Sequence, residues 1–263
     1  MMTKKYSGTA LSFLLMLMPI IILIIPISTW VLDILIALNL AFTFFILFAV
    51  YRTERICNFS LLPTWLLLSI NFNLAVNISS VRFILTKGDA FDGRLIGFIA
   101  QLVSSQDITG LITCFIIFIV ITLIQILIIS RGIIRMTKAV SRFICDAVLV
   151  KNITIEAEYS AGTITIDESM AKKNEILKEK DFYETLNGAC KYVYGYEKIR
   201  LIIILLSIIG GILISTMIQE KTTIEAIRIF IPLVIGNGIF SMLPVFLLSF
   251  ITVNIVIKKS CHD

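Results

Sequence analysis

Polar residues inside the third long apolar run are the first candidates for function. Asn73, Asn77 and Ser80 lie at spacing i, i+4 and i+7, which places them on one face of a helix. Because an uncompensated polar group in hydrocarbon costs free energy, this face is expected to point into a helix bundle. Two interpretations remain open: hydrogen bonds between helices, or a polar conduit or oligomer contact. Arg82 follows just beyond this stripe, and its charge requires a partner or water.

Two other apolar runs contain residues that are costly or unusual in a membrane. Asp33 lies one turn inside the second run, where it is either a cap at the membrane interface or an ionisable group facing a cavity. Pro232, Asn237 between two glycines, and Pro244 interrupt the last run. They predict a broken or kinked helix whose free backbone groups line a cavity or pack in protein. A kinked helix without a function is the alternative.

Small residues recur in the fifth apolar run. Ser207, Gly211 and Ser215 are spaced by four, which produces one narrow face of small side chains. Such a face lets a neighbouring helix approach closely. We therefore predict helix packing at this position.

The residue inventory argues against an enzyme, a metal site and a nucleic-acid-binding domain. The five cysteines include no C-x-x-C pair, and the single histidine, His262, is the penultimate residue. No phosphate-binding loop and no nucleophile motif with a base is present. The +5 net charge on a hydrophobic chain is more typical of membrane topology. We expect no catalysis, no cofactor and no nucleic-acid partner.

The composition indicates a membrane protein. Apolar residues make up 58% of the 263 residues and charged residues 16%, with a mean hydropathy of +0.97. Soluble domains have about 45–50% apolar and about 25% charged residues. Since a spanning helix needs about 20 apolar residues, we predict an all-α polytopic membrane protein with six transmembrane helices and an uncleaved first anchor. The predicted spans are Leu11–Ile27, Trp30–Val50, Leu61–Leu85, Ile108–Ile129, Ile199–Ile218 and Ile227–Ile257.

The distribution of positive charge predicts the orientation. Most of the 23 Lys and Arg residues fall near the termini, after the second run and in the long segment between the fourth and fifth runs. The positive-inside rule then places both termini and that segment in the cytoplasm. On the outer side, residues 92–103 show helical spacing behind Asp92 as a possible N-cap. They predict a short interfacial helix, or an ordinary packed loop helix.

The predicted cytoplasmic segment, residues 131–198, is the only part with soluble character. It is expected to form a small mixed subdomain that separates membrane regions 1–130 and 199–263. Alternating apolar residues predict a strand before a turn at Gly162. Asp167 is expected to cap a charged helix that runs to about Lys180. The alternating residues are Ile153, Ile155, Ala157 and Tyr159.

A series of motifs resembles the export-gate family (FHIPEP) of flagellar and virulence type III secretion. The similarity extends from Pro26 to Ser249, and its motifs occur in the family's order. The motifs are Leu32-Asp33-Ile34-Leu35 with Asn39, Phe59-Ser60-Leu61-Leu62-Pro63-Thr64, Leu74 to Arg82, Arg131-Gly132 with Arg135, Ser141-Arg142-Phe143, Asp181-Phe182-Tyr183, Gly188-Ala189-Cys190-Lys191-Tyr192-Val193, and Gly236-Asn237-Gly238 with Ser241 and Pro244.

The resemblance implies a subunit of the bacterial inner-membrane export apparatus. Family members assemble into a homo-oligomeric ring, contact other membrane subunits and deliver secreted proteins with the help of the proton gradient. They normally continue into two further spans and a cytoplasmic docking domain, so the chain is expected to be a truncated member. A non-functional remnant and an unrelated small ion-coupled transporter or channel are the alternatives.

The chain departs from the family at positions that are usually aspartate. These positions hold Asn187, Tyr196 and Asn237, and an amide cannot take up and release a proton. We therefore expect the membrane scaffold to be kept and this chain alone not to conduct protons. The family's charged positions that remain are Asp33, Arg82, Arg135, Arg142 and Lys191.

Overall fold

The computed structural model describes residues 28–53, 61–104, 107–142 and 148–260, together with the isolated positions 17 and 146. These parts of the chain are helical and contain no strand. A short 3-10 turn, Gly88–Ala90, follows the second helix. The helices are α1 Thr29–Arg52, α2 Leu62–Lys87, α3 Arg94–Val103, α4 Ile108–Arg142, α5 Val148–Ser160, α6 Ile166–Met217 and α7 Thr223–Ser260.

Five of these helices are long and apolar enough to cross a membrane, namely α1, α2, α4, α6 and α7. They coincide with the second to sixth predicted spans. The first predicted span, Leu11–Ile27, lies outside the described residues. The described residues thus form helices, several of them apolar, and the six membrane crossings stay a prediction.

Helix α7 lies at the centre of the bundle. In its apolar segment 72% of the residues are buried, compared with 22% in α4. It contacts α1, α2, α3, α4 and α6. Of the predicted break or kink, the break is wrong, because α7 is one continuous helix with Pro232 and Pro244 inside it, and the kink stays a prediction. Neighbouring helices can compensate for the backbone bonds that a proline removes, which lets the helix continue.

Glycines allow the close approach of two helices to α7. A Cβ on Gly236 would lie 2.7 Å from the carbonyl oxygen of Ile96 in α3. A Cβ on Gly238 would overlap the ring of Phe118 in α4. Gly236 thus faces α3 and Gly238 faces α4. The side chain of Asn237, which lies between them, bonds to α2.

The segment predicted as a strand is the helix α5, so the strand prediction is wrong. Burial recurs at Val148, Asn152 and Ile155, which is helical spacing, while Ile153 and Tyr159 are exposed. The helix packs antiparallel on α6 after a turn at Gly162, whose φ is +72°. Three ion pairs join the two helices: Lys151–Glu179 at 3.1 Å, Lys172–Glu158 at 2.6 Å and Lys173–Glu156 at 3.1 Å.

The cap and the end predicted for the charged helix are also wrong. Thr165, not Asp167, is the N-cap of α6: its hydroxyl accepts a hydrogen bond from the backbone N–H of Glu168, whose carboxylate accepts from the Thr165 N–H. This reciprocal capping box outcompetes a cap two residues later. The helix does not end near Lys180 but continues to Met217, through both the charged segment and the apolar run.

Candidate functional site

Amide and hydroxyl side chains from three helices form a buried cluster, which we call the asparagine pocket. The Asn237 Nδ2 donates to the Asn77 Oδ1 at 2.8 Å, which joins α7 to α2. One turn away, the Asn73 Nδ2 donates to the carbonyl oxygen of Ser241 at 3.1 Å. The polar residues that line the pocket are Asn39, Asn73, Asn77, Ser80, Asn237 and Ser241.

The asparagine pocket encloses a small polar space. Its volume is about 10 Å³, which is roughly the space that one water molecule needs. The Asn39 Oδ1 and the Asn77 Nδ2 are buried without a hydrogen-bond partner among the described residues. Ser80 is satisfied within its own helix, since its hydroxyl donates to the Val76 carbonyl at 2.9 Å. The pocket therefore has both a free donor and a free acceptor.

A second buried cluster contains charges, and we call it the ion-pair network. Glu197 and Arg200 on α6 are both completely buried, and the Arg200 Nη2 donates to the Glu197 Oε2 at 2.7 Å. The same Nη2 donates to the Gln125 Oε1 of α4 at 3.3 Å. The Gln125 Nε2 in turn donates to the Met242 carbonyl of α7 at 3.1 Å. The network thus connects three helices.

The ion-pair network is only partly satisfied. The Glu197 Oε1 and the Arg200 Nε and Nη1 have no hydrogen-bond partner within the described parts of the chain. Removing two charges from water costs several kcal/mol per ion, and their attraction compensates fully only when the remaining hydrogen bonds are made. The one hydrogen bond between the two side chains leaves the other charged oxygen of Glu197 and two of the three Arg200 nitrogens without a partner among the described residues.

Tyr196 is a buried residue of α6 that is linked to both clusters. Its side chain is electrostatically coupled to Asn77 of the asparagine pocket and to Glu197 and Arg200 of the ion-pair network. Its hydroxyl has no well-aligned hydrogen bond to any described residue.

Two backbone carbonyls of α7 accept side-chain hydrogen bonds in the turn before Pro244. The Ser241 carbonyl accepts from Asn73 of α2, and the Met242 carbonyl accepts from Gln125 of α4. A proline has no N–H to donate to the carbonyl four residues earlier, which is that of Phe240, so these two bonds do not replace the one that Pro244 removes. They attach α2 and α4 to the backbone of α7 close to the interrupted position.

Asp33 caps a neighbouring helix. Its carboxylate accepts hydrogen bonds from the backbone N–H groups of Arg94 at 2.8 Å and Leu95 at 3.2 Å, the first two residues of α3. A carboxylate at a helix N-terminus satisfies free donors and complements the helix dipole. The prediction that Asp92 caps this helix is wrong, because Gly93 is the N-cap residue and carries no side chain.

Asp92 instead belongs to an exposed ion pair. It accepts a hydrogen bond from the Lys87 Nζ at 2.6 Å. The Lys87 ammonium, and to a lesser degree the Thr29 hydroxyl, hold the pKa of Asp92 below its usual range. This pair lies at the solvent-exposed surface, so its contribution to stability is small.

The predicted small-residue face lies against α7. The ring of Phe230 packs directly on Gly211, leaving no room for a Cβ. Ser207 and Ser215 are buried and bond within their own helix and its C-terminal turn, to the Ile203 carbonyl at 2.6 Å and the Gln219 side chain at 3.2 Å. The contact of Gly211 with Phe230 is compatible with the predicted helix packing, which stays a prediction for the face as a whole.

Five other residues that the sequence analysis singled out do not line the asparagine pocket. They are Arg82, Arg135, Arg142, Asn187 and Lys191. Arg82 and Asn187 are half-buried, Arg135 and Lys191 are exposed, and Arg142 is the last residue of α4.

The ion-pair network was missed at the level of sequence. Arg200 looks like the last positive charge of the cytoplasmic segment, and Glu197 like part of the same hydrophilic stretch. Two signals could have identified them. Glu197 and Arg200 have i, i+3 spacing at the edge of an apolar run, and Gln125 is the only amide in the fourth run.

The chemistry available in these clusters is hydrogen bonding and charge stabilisation. Within the described residues, no group of three His, Cys, Asp or Glu side chains could hold a metal ion. Cys190 is buried and Cys114 half-buried, and both are free thiols.

Comparison with known proteins places the chain in a family. The FHIPEP family matches residues 19–263. The chain is 39% identical over 237 residues to the flagellar biosynthesis protein FlhA of Borreliella burgdorferi, covering 90% of the chain and 34% of that protein. It is 31% identical over 249 residues to the low calcium response locus protein D of Yersinia pestis, covering 95% of the chain and 35% of that protein.

A third relative, protein MxiA of Shigella flexneri, is 32% identical over 235 residues, which cover 89% of the chain and 34% of that protein. The chain spans about a third of the length of these curated relatives. No solved structure matches it. Because the family match covers nearly the whole chain, from residue 19 to residue 263, the chain belongs to the FHIPEP family.

Proposed function

We propose that the chain is the membrane region of an export-gate subunit in a bacterial type III protein export apparatus, flagellar or virulence-associated. The observation that carries the proposal is the family match over residues 19–263, with relatives named both for flagellar biosynthesis and for the low calcium response. The five long apolar helices among the described residues fit a location in the inner membrane. Family membership argues against the alternative of an unrelated transporter.

The proposed orientation places both termini and the α5–α6 hairpin in the cytoplasm. It is supported by the concentration of Lys and Arg in residues 131–200. The division into membrane regions 1–130 and 199–263 and a cytoplasmic segment 131–198 belongs to this proposal, although α6 runs through the second boundary without a break.

Labelling of single introduced cysteines with a thiol reagent that cannot cross the membrane tests this orientation. In a variant without the native cysteines, Lys87→Cys should react from outside intact cells. Lys173→Cys should react only after the membrane is opened. Labelling of position 173 in intact cells would overturn the orientation.

The proposed partners are further copies of the chain in a ring, other membrane subunits of the apparatus, secreted proteins and lipid. Large apolar side chains on the outer faces of α1, α4 and α6 are exposed and can contact lipid or a neighbouring copy. Trp30, Phe45, Ile116, Ile124 and Leu206 are examples.

Copurification tests the proposed role. A tagged chain, expressed at native level in the source bacterium, should appear in the inner-membrane fraction and copurify with other export subunits as a large detergent complex. A tagged polytopic protein of unrelated function is the control. A chain that is monomeric and enriches no export subunit over that control would contradict the role and favour a remnant.

A further inference from the structure

Six buried polar atoms have no hydrogen-bond partner among the described residues, and they belong to the two polar clusters and the tyrosine between them. Nearly all buried polar groups in proteins bond to protein or to ordered water, because an unmade bond costs free energy. Six such atoms in one bundle therefore call for one explanation. The atoms are Asn39 Oδ1, Asn77 Nδ2, Tyr196 Oη, Glu197 Oε1, Arg200 Nε and Arg200 Nη1.

These atoms belong to side chains on three packed helices. Asn39 of α1 and Asn77 of α2 line the same pocket. Tyr196 of α6 is electrostatically coupled to Asn77 and also to Glu197 and Arg200. We call this set of side chains, from α1 to α6, the polar seam.

Water is the ligand that matches this set of atoms. The Asn77 Nδ2 and the two Arg200 nitrogens are donors, whereas the Asn39 Oδ1 and the Glu197 Oε1 are acceptors. An anion would satisfy only the donors and a cation only the acceptors. Water does both, and the space of about 10 Å³ at the asparagine pocket is the size of roughly one water molecule.

We propose that ordered water fills a polar seam through the bundle, from Asn39 past Tyr196 to the Glu197–Arg200 pair. The inference goes beyond the proposed export role and does not depend on it, since it follows from the packing of α1, α2 and α6. It is compatible with the hydrogen bonds that Asn73 and Asn77 of the α2 stripe make to α7. The water bonds to the free atoms of the ion pair and thereby keeps both groups charged in the interior.

Hydroxyl-radical footprinting of the full chain in detergent tests the seam, because radiolysis of bound water oxidises the side chains beside it. Tyr196 and Tyr183 are matched reporters: both are on α6, with 2% and 5% of their surface exposed. Both residues belong to the same apolar cluster, but the Tyr183 ring packs against the edge of the Phe182 ring, whereas the Tyr196 hydroxyl is one of the six unpartnered atoms. We expect Tyr196 to be oxidised several-fold faster than Tyr183. Equal rates in the wild-type chain would overturn the proposal.

Two variants locate the water. Asn77→Leu and the double variant Glu197→Leu/Arg200→Met remove polar atoms on either side of Tyr196, so each should lower its oxidation rate toward that of Tyr183. Thr113→Val is the control, because Thr113 is exposed and bonds only to the Thr109 carbonyl of its own helix. Fast oxidation that persists in both variants would also overturn the seam. If either variant fails to fold, the comparison in the wild-type chain decides alone.

Discussion

The asparagine pocket and the ion-pair network reach the central helix at adjacent residues, yet they are built differently. Three helices line the pocket, and its hydrogen bonds between helices join neutral amides of α2 to the Ser241 carbonyl and the Asn237 side chain of α7. In the network, Gln125 of α4 donates to the Met242 carbonyl of α7 and accepts from Arg200, which pairs with Glu197 on α6. The bonded groups of the pocket are therefore neutral and join two helices, whereas the network connects a charged pair to two other helices.

The difference determines what each cluster contributes. A neutral amide pair that loses one member leaves one unsatisfied group, which costs about 1–3 kcal/mol. A buried ion pair that loses one member leaves an uncompensated charge, which costs more. Both clusters specify helix packing, but only the second couples that packing to charge.

The largest expected effect is therefore at Arg200. Arg200→Met removes the cation and leaves the completely buried Glu197 without its partner. The free energy of unfolding in mixed micelles should fall by about 3–5 kcal/mol. The double variant Glu197→Leu/Arg200→Met removes both charges and should recover most of the loss. A double variant as unstable as the single one would show that packing, not charge, makes Arg200 important.

Asn237→Leu should have a smaller effect. It removes the donor at 2.8 Å from the Asn77 Oδ1, so both ends of the Asn77 amide become unpartnered among the described residues. We expect the free energy of unfolding to fall by about 1–2 kcal/mol, measured in the same micelles. The double variant Asn77→Leu/Asn237→Leu should cost less than the sum of the two single variants. A loss as large as that of Arg200→Met would remove the distinction between the clusters.

The asparagine pocket could be predicted from the sequence in part, whereas the ion-pair network could not. The stripe Asn73, Asn77 and Ser80 lies on one helix, where periodicity reveals a shared face, and the structure places that face on α7. The network joins Glu197 and Arg200, which share one helix, to Gln125, which is 75 residues from Arg200 in the chain and shares no helical period with them. The network forms because three helices pack together. The residue pattern of a single helix does not predict such contacts.

Local sequence patterns also gave wrong predictions for one secondary-structure element and for one helix cap. The alternation from Ile153 to Tyr159 is typical of a strand, but ion pairs to α6 and a buried face at helical spacing favour the helix. Likewise, Asp92 precedes α3 in the sequence, yet the cap comes from Asp33, which is 61 residues away from Arg94. Tertiary contacts outweigh local propensity in both cases.

A substitution beside Asn237 tests whether the pocket depends on close helix contact. Gly236→Ala places a Cβ 2.7 Å from the Ile96 carbonyl oxygen, and this atom belongs to the backbone, so α3 must shift. We expect a loss of about 1–3 kcal/mol in the free energy of unfolding. Gly97→Ala on α3 is the matched control, because a Cβ there meets nothing within 4 Å. It should be neutral or stabilising by up to about 1 kcal/mol. Equal effects would contradict a tight α3–α7 contact at this edge of the pocket.

The smallest expected effect concerns the cap that holds α3 in place against α1. Asp33→Ala removes the acceptor of the Arg94 and Leu95 N–H groups and should lower the free energy of unfolding by about 1 kcal/mol, within the range for lost helix caps. Asp92→Ala is the control: it removes a carboxylate from the same loop, but one that pairs with Lys87 in water, and should change stability less. Hydrogen exchange at the Arg94 and Leu95 amides should accelerate in the Asp33 variant only. If both variants accelerate exchange equally, the loop as a whole, and not the carboxylate of Asp33, fixes the start of α3.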